Sequence, residues 1–345
     1  MHNAPAAVTF AGMRLLLLFA LLALAAPAYG QDTEPVIDMH LHADAADEYG
    51  PPPLAMCTPF DEFPAWDQRR SYAEQFIGQF KKPTCKAFVW SPTTDDEVMR
   101  QTIAAMEKRR VFGVLSGSPE RVAAWRKAAP GRFLSGLGLN IARNYSPTRV
   151  EALRKSGQLD VLAEVSTQYE GIQPNDPRLA PYWALAERLD IPVGIHVGTG
   201  PFGVIYLGSR GYRARLHSAL SMEEVLVRHP KLRVYLMHAG FPMIDDLLTV
   251  LYAHPQVHVD TGVIVYTQPK AAFYRYLQRI VEAGFVNRVM FGSDQMVWPG
   301  VIEHSIKVIE DAPFLTKQQK RDILYENAAR FLRLSDSERA AHRAR

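Results

Sequence analysis

The sequence holds only two cysteines in 345 residues. Cys57 and Cys85 are too far apart to form a CxxC knuckle, which excludes a thiolate metal cage and a dithiol redox motif. Charge is also close to balanced, at +3. Basic residues gather only at 339–345, so the chain has no electrostatic footprint for nucleic acid. No glycine-rich phosphate loop follows the first apolar strand, so an open dinucleotide-binding sheet lacks its fingerprint. Outside one N-terminal stretch, no apolar run approaches the ~20 residues that a membrane-spanning helix needs.

That stretch reads as a leader. Arg14 precedes an unbroken apolar run over 15–26, and Ala28 and Gly30 supply small residues before Gln31. This is the layout of a secretory signal, and an uncleaved anchor is the alternative. Residues 1–30 are therefore expected to be removed and the protein exported, to the periplasm or beyond, with no membrane contact after cleavage. Losing Arg14 takes the charge from +3 to +2 and leaves 315 of 345 residues, enough for one large domain at 31–334 followed by a polar tail at 335–345. In an oxidising compartment Cys57 and Cys85 are expected to pair, closing a loop worth roughly 3–4 kcal/mol. Two unconnected buried thiols are the alternative.

Apolar residues make up 48% of the chain, which argues against disorder. From residue 95 onward a strand–helix alternation sets in. Apolar, β-branched strands fall at 36–42, 111–115, 133–139, 161–165, 191–197, 232–237, 257–259 and 288–291. Amphipathic helices fall at 95–109, 119–129, 147–156, 177–189, 221–228, 242–254, 270–283 and 300–311. Eight such units predict an α/β fold, a parallel (β/α)8 TIM barrel, with a helical appendage over 316–332. The proline-rich segment 43–86 interrupts the pattern after the first strand. It is expected to be a long irregular insertion with at most a short helix at 69–80. Its aromatics Tyr49, Phe60, Phe63 and Trp66 either wall a pocket or pack the loop itself.

In such a barrel, chemistry sits at the C-terminal ends of the strands. The first strand ends in His40 and His42, which share one face because side chains alternate along a strand. The fourth carries Glu164, the fifth ends at His196, the sixth at His238, the seventh at Asp260 and the eighth leads to Asp294. Taken singly, each reads as a satisfied core or capping residue. Together, four histidines and three acids converge on one end of one barrel.

The order His-x-His, His, His, Asp resembles the amidohydrolase superfamily. The segments 38–42 (DMHLH), 238–242 (HAGFP), 291–294 (FGSD) and 326–331 (ENAARF) resemble its amidohydrolase-related branch, which includes decarboxylases and lactonases. The resemblance implies metal ligands at His40, His42, His196 and Asp294, with His238 as acid, base or electrostatic clamp. It implies a divalent cation, zinc first and manganese or iron second. The activity implied is hydrolysis of an amide or lactone by metal-bound hydroxide, with Asp294 carrying the proton. The alternatives are a non-oxidative decarboxylase on the same scaffold and a catalytically silent binding protein. Lysine, which bridges two metals in some members, is missing from the fourth strand. Glu164 is expected to contact substrate or a ligand histidine, with a bridging role as the alternative. Asp260 is read as structural, because Thr261-Gly262 follows as a turn. Arg210 and Arg213, with Tyr212 and Arg215, are read either as a grip for a small carboxylate-bearing substrate or as a solvated loop face. Met296, Trp298 and Pro299 line the pocket or pack their loop. A homo-oligomer is compatible with the sequence.

Overall fold

A computed structural model of the chain describes residues 1–2, 34–63, 65–140 and 145–345. The expected leader, with Arg14, the apolar run 15–26 and the small residues Ala28 and Gly30, lies outside the described residues. From Thr33 to Arg345 the chain forms one compact unit. Among the described residues no helix is long and apolar enough to cross a membrane.

Among the described residues ten strands appear in order: β1 (Val36–His42), β2 (Ala55–Cys57), β3 (Phe88–Trp90), β4 (Val111–Ser116), β5 (Phe133–Ser135), β6 (Leu162–Val165), β7 (Val193–His196), β8 (Val234–Met237), β9 (Val257–Asp260) and β10 (Val289–Met290). All but β2 and β3 run parallel, in two ladders ordered β1-β4-β5 and β10-β9-β8-β7-β6. Bridges at Gly136–Val161 and Leu139–Val165 link β5 to β6. On the other side Met39 N–H donates to the Phe291 carbonyl at 2.9 Å and Asp294 N–H to the His40 carbonyl at 2.7 Å. These contacts join both seams in the (β/α)8 order that the alternation predicts.

The two faces of each strand have separate destinies. Tyr235 and Met237 belong to an interior cluster with Ile37, Met39, Val114, Val161, Ala163 and Met290. Their neighbours Val234 and Leu236 join the outer layer with the buried helix faces, such as Val225, Leu247, Val250, Phe273 and Leu277. Strands buried on both sides lack a polar face, and this is why they read as continuous apolar runs. Gly194 on β7 makes room for the largest interior ring, because a Cβ there would lie 2.4 Å from Tyr235.

The structure departs from expectation in two places. The insertion is not irregular throughout: β2 and β3 pair antiparallel, and a helix spans Tyr72–Lys81 behind an N-cap at Ser71. Cys57 and Cys85 are bonded, with Cα atoms 5.9 Å apart. Phe60, Phe63, Phe76 and Phe202 stack with ring centroids 5.2–5.6 Å apart, so the insertion's aromatics pack it onto the loop after β7. The second departure is the tail, which forms a helix, Asp336–Ala344, closed by a Ser335/Glu338 capping box. His342 on that helix stacks on Phe112 of β4 at 3.8 Å.

Candidate metal centre

The C-terminal ends of the strands deliver seven polar side chains into one space. A register irregularity in β1 between Asp38 and Leu41 separates the interior residues Ile37 and Met39 from the strand end. His40 sits inside that irregularity and His42 past it; their rings lie 5.1 Å apart, and that of His238 lies 5.1 Å from His40. His238 and Asp294 both adopt left-handed backbone, with φ of 59° and 56°. A non-glycine residue holds such a conformation only where its surroundings insist. Here the Asp260 carboxylate accepts from His238 N–H at 2.8 Å, and the His40 carbonyl accepts from Asp294 N–H.

Glu164 is in the middle. Its Oε2 lies 3.7 Å from His40 Nε2 and 3.8 Å from His42 Nε2; its Oε1 lies 2.5 Å from His196 Nδ1 and 3.6 Å from His238 Nε2. Asp294 Oδ1 lies 3.5 Å from His40 Nε2 and 3.1 Å from His42 Nε2. One carboxylate therefore divides its two oxygens between two pairs of histidines. Glu164, expected to contact substrate or a ligand histidine with a bridging role as the alternative, does meet His196 and also stands among the donors. His238, set apart as an acid–base group, also has its Nε2 inside the cluster, 2.9 Å from His196 Nδ1.

Hydrogen bonding fixes which nitrogen each ring offers. Asp260 Oδ2 lies 3.1 Å from His40 Nδ1, so that proton goes to the carboxylate and Nε2 faces the cluster. The Gly262 carbonyl at 3.0 Å takes the His238 Nδ1 proton in the same way. His40 Nε2 is then fully buried without a hydrogen-bond partner. Its nearest carboxylate oxygens, at 3.5 and 3.7 Å, are too distant for hydrogen bonds but suitably placed to share an ion. Three overlapping groups, His40/His238/Asp294, His40/His42/Glu164 and Glu164/His196/His238, each bring their ligand atoms within 4.8 Å of one another. Imidazoles and carboxylates in that number suit a first-row divalent cation, so the donor set fits a metal.

Charge points the same way. Among the described residues no lysine or arginine pairs with Glu164, Asp260 or Asp294, and histidines are their only cationic neighbours. Burial opposes the charged form of the His42 ring, but Asp44 and Asp294 outweigh it and lift its pKa to about 9. Burial would raise the Asp294 carboxyl, yet His40, His42 and His238 hold it below its usual range.

Other predicted residues are placed elsewhere. Arg210, Arg213 and Arg215 are exposed, and Arg213 spends its guanidinium on the carbonyls of Arg210 and Tyr212 at 3.1 and 2.6 Å. Trp298 donates to the Leu54 carbonyl at 2.8 Å and stacks with Tyr49 and Phe80, fastening the insertion. Asp260 is a positioning residue, holding His40, His238 and the Gly262 N–H together. Three side chains escaped the sequence reading. Gln295 clasps the His42 backbone with both ends of its amide. Tyr169 Oη lies 3.2 Å from His196 Nε2. His217 packs edge-on against His196 at 5.3 Å, and burial pushes its pKa down to about 3, keeping it neutral. The one available signal was position, since all three lie on loops that leave the C-terminal ends of strands.

An amidohydrolase family model (Amidohydro_2) matches residues 37–334, and the chain belongs to that family. No curated protein sequence matches it. Among solved structures, a TIM-barrel protein from Bordetella bronchiseptica superposes with a TM-score of 0.57 at 19% identity, over 90% of this chain and 100% of its own. A manganese-bound 5-carboxyvanillate decarboxylase from Novosphingobium aromaticivorans gives 0.57 at 12% identity, over 88% and 99%. A probable 2-pyrone-4,6-dicarboxylic acid hydrolase from Acinetobacter baumannii, with citric acid bound, gives 0.53 at 13% identity, over 87% and 99%. At these identities the likeness is one of fold.

Proposed function

We propose that this amidohydrolase cleaves a carbonyl-centred C–N or C–O bond, in an amide or a lactone, by adding water. The observation that carries the reading is Glu164, shared between two histidine pairs in a cluster of carboxylates that no lysine or arginine neutralises. His40, His42, His196 and Asp294 would hold the cation, with Glu164 beside them, and zinc is the metal this imidazole-rich set favours. A divalent cation there supplies Lewis acidity and brings the pKa of a bound water to about 7.

The chain's own groups handle the protons. Asp294, held ionised by its histidines, accepts a proton from the attacking water and returns it to the departing nitrogen or oxygen. His238, with Nδ1–H tied to the Gly262 carbonyl and its pKa raised, against burial, by Glu164 and Asp294, donates as an imidazolium from Nε2–H to the carbonyl oxygen as negative charge builds there. Asp260 keeps the His40 ring in the working tautomer and holds the His238 backbone N–H. The Cys57–Cys85 bond supports a working place in an oxidising compartment, in keeping with the exported reading.

Non-oxidative decarboxylation is the second reading, and the manganese-bound decarboxylase with this fold favours it. Against it, the predicted carboxylate grip at Arg210 and Arg213 is absent from the cluster. Purified protein, analysed for metal and offered lactones, amides and aromatic carboxylates with and without chelator, separates the readings. Chelator-sensitive acid production from a lactone or amide is expected. Carbon dioxide release without hydrolysis would overturn the hydrolase in favour of the lyase, and absence of metal would favour the silent binding protein.

A further inference from the structure

We infer that the N-terminal end of the barrel carries a second binding site, a basic cavity for a small organic phosphate or phosphonate held between arginines and aromatic rings. It lies opposite the metal centre and is independent of the reaction proposed there.

Three neighbouring strands build it. Arg233 immediately precedes β8, His258 is the second residue of β9, and Arg288 immediately precedes β10; the three strands are adjacent in the sheet. Arg330 and Arg333 come from the C-terminal end of the helix Asn327–Phe331, whose Ala328, Ala329 and Phe331 plug the interior. With Phe285 and Phe331 they line a cavity of about 670 Å³, within the ~300–1,000 Å³ of small-molecule sites. A bare phosphate would leave most of that space empty, so the occupant has a body as well as a charge. Rings stand beside the charges: His258 packs on Phe331 at 4.8 Å, and Arg288 lies over Phe285 at 4.4 Å.

The cavity holds more positive charge than the protein neutralises. Asp190 is shared by Arg233, whose Nε donates to it at 2.7 Å, and Arg333. Among the described residues no carboxylate pairs with Arg288 or Arg330, so four arginines face one acid. The neighbours feel the excess. Burial pushes His258 down to about 4 with Arg288 and Arg330 adding to the shift, and at Arg233 the Arg333 charge works against Asp190. Arg233 spends its guanidinium on Asp190 and the Phe331 carbonyl, and Arg288 its terminal nitrogens on the carbonyls of Leu251 and His254, so these two build the wall. Arg330 and Arg333 are exposed, and each commits one terminal nitrogen, to Asn327 and to Asp190. Among the described residues the rest of each fork is open. Arg333 also holds left-handed backbone, with φ of 59°, in a helix-ending turn closed by Leu334 N–H on the Ala329 carbonyl. Glycine is the usual residue at that position, so what an arginine adds there is its guanidinium. A phosphate-type group brings close to two charges and three acceptor oxygens on one atom, which suits two open forks better than a lone carboxylate does.

Benzylphosphonate, which has no ester bond to hydrolyse, is the probe, with inorganic phosphate as the control without a body and chloride at matched ionic strength as the control for screening. The His258 ring signals, assigned by their loss in His258→Leu, are followed by NMR in the zinc-loaded full chain at about pH 8, where the probe is doubly charged. Benzylphosphonate is expected to move them saturably with a Kd below about 1 mM, and inorganic phosphate to bind at least about threefold more weakly. Arg330→Gln with Arg333→Gln should weaken the probe at least about tenfold and leave zinc content unchanged. Arg330→Gln alone, which keeps Asp190 paired, serves if the double variant is unstable. Equal movement with chloride, a response that does not saturate, or variants that bind as tightly as wild type would overturn the inference. Movement confined to the histidines of the metal centre would overturn it too, and would leave the reading of that centre intact. Benzylphosphonate binding no tighter than inorganic phosphate would overturn the part assigned to the rings.

Discussion

The two ends of the barrel are built from the same eight strands and could hardly differ more. At the C-terminal end, four imidazoles and three carboxylates crowd one space with left-handed backbone at His238 and Asp294. At the N-terminal end Tyr325, Ala328, Ala329 and Phe331 close the interior with apolar surface. Phe291 N–H donates to the Ile323 carbonyl and Asn327 Nδ2 to the carbonyls of Val286 and Val289, so the plug is tied to β10 and its approach. One end concentrates unfavourable burial and the other offsets it. A strained, charge-rich site is stable only where the rest of the scaffold holds it, and the division lets loops at one end vary without unfolding the other.

The sharpest break in that comparison comes from Glu164→Gln. The amide keeps the shape but removes the charge that four histidines face. Turnover should fall by about three orders of magnitude, the upper range for loss of one electrostatic group, and bound metal should fall with it. The thermal midpoint of the metal-free protein should fall, because, against burial, the histidines hold the Glu164 carboxyl well below its usual range, and its loss leaves them without their partner. Full metal content in the variant, measured by elemental analysis, would show that Glu164 is no part of the donor set.

Phe331→Ala tests the opposite end. Phe331 packs edge-on against Tyr235 at 5.6 Å and against His258 at 4.8 Å. Removing it should cost about 3–5 kcal/mol of stability, the usual range for a buried phenylalanine, read as a shift in the urea midpoint. Metal stoichiometry and kcat should be unchanged at a temperature where the variant is folded. A loss of metal affinity would mean that the two ends are coupled.

Much of this division was legible in the sequence. The order His40/His42, His196, His238, Asp294 announced one strand end after another, because period-two alternation and strand termini are local properties. The eight apolar runs were legible for the same reason. What stayed hidden depends on distant partners. Glu164 was legible as a contact of substrate or of a ligand histidine, but nothing in its neighbourhood along the chain says that it lies among four histidines. Asp260 was legible as structural, but not that its two oxygens position the His40 ring and the His238 backbone. Arg210 and Arg213 offered by composition either a carboxylate grip or a solvated loop face, and both are exposed. The tail at 335–345 looked frayed by charge, yet its capping box and the His342–Phe112 stack give it an ordered helix. The leader remains a reading of composition alone.

The smallest effect, and the one that sets the two ends against each other in a single measurement, is the pH dependence of the metal-free protein. At the N-terminal end burial pushes His258 down to about 4, with Arg288 and Arg330 adding to the shift. Its neutral form is the one that folds, so its contribution is complete above the unfolded value near 6.5. That contribution is lost as the pH falls from there toward about 4. At the C-terminal end His42 has the opposite sign. Its folded pKa of about 9 makes its contribution complete below the unfolded value and lost as the pH rises toward about 9. Stability should therefore peak near pH 6.5 and fall on both sides. His258→Leu should flatten the acid limb, by about 1 kcal/mol between pH 6.5 and 5 after allowance for partial exposure, and leave the alkaline limb alone. Loading the cation should erase the alkaline limb and steepen the acid one, because a ligand imidazole binds in its neutral form and protons compete with the cation for it as the pH falls. An acid limb that His258→Leu leaves unchanged would show that the N-terminal end does not titrate as its burial requires.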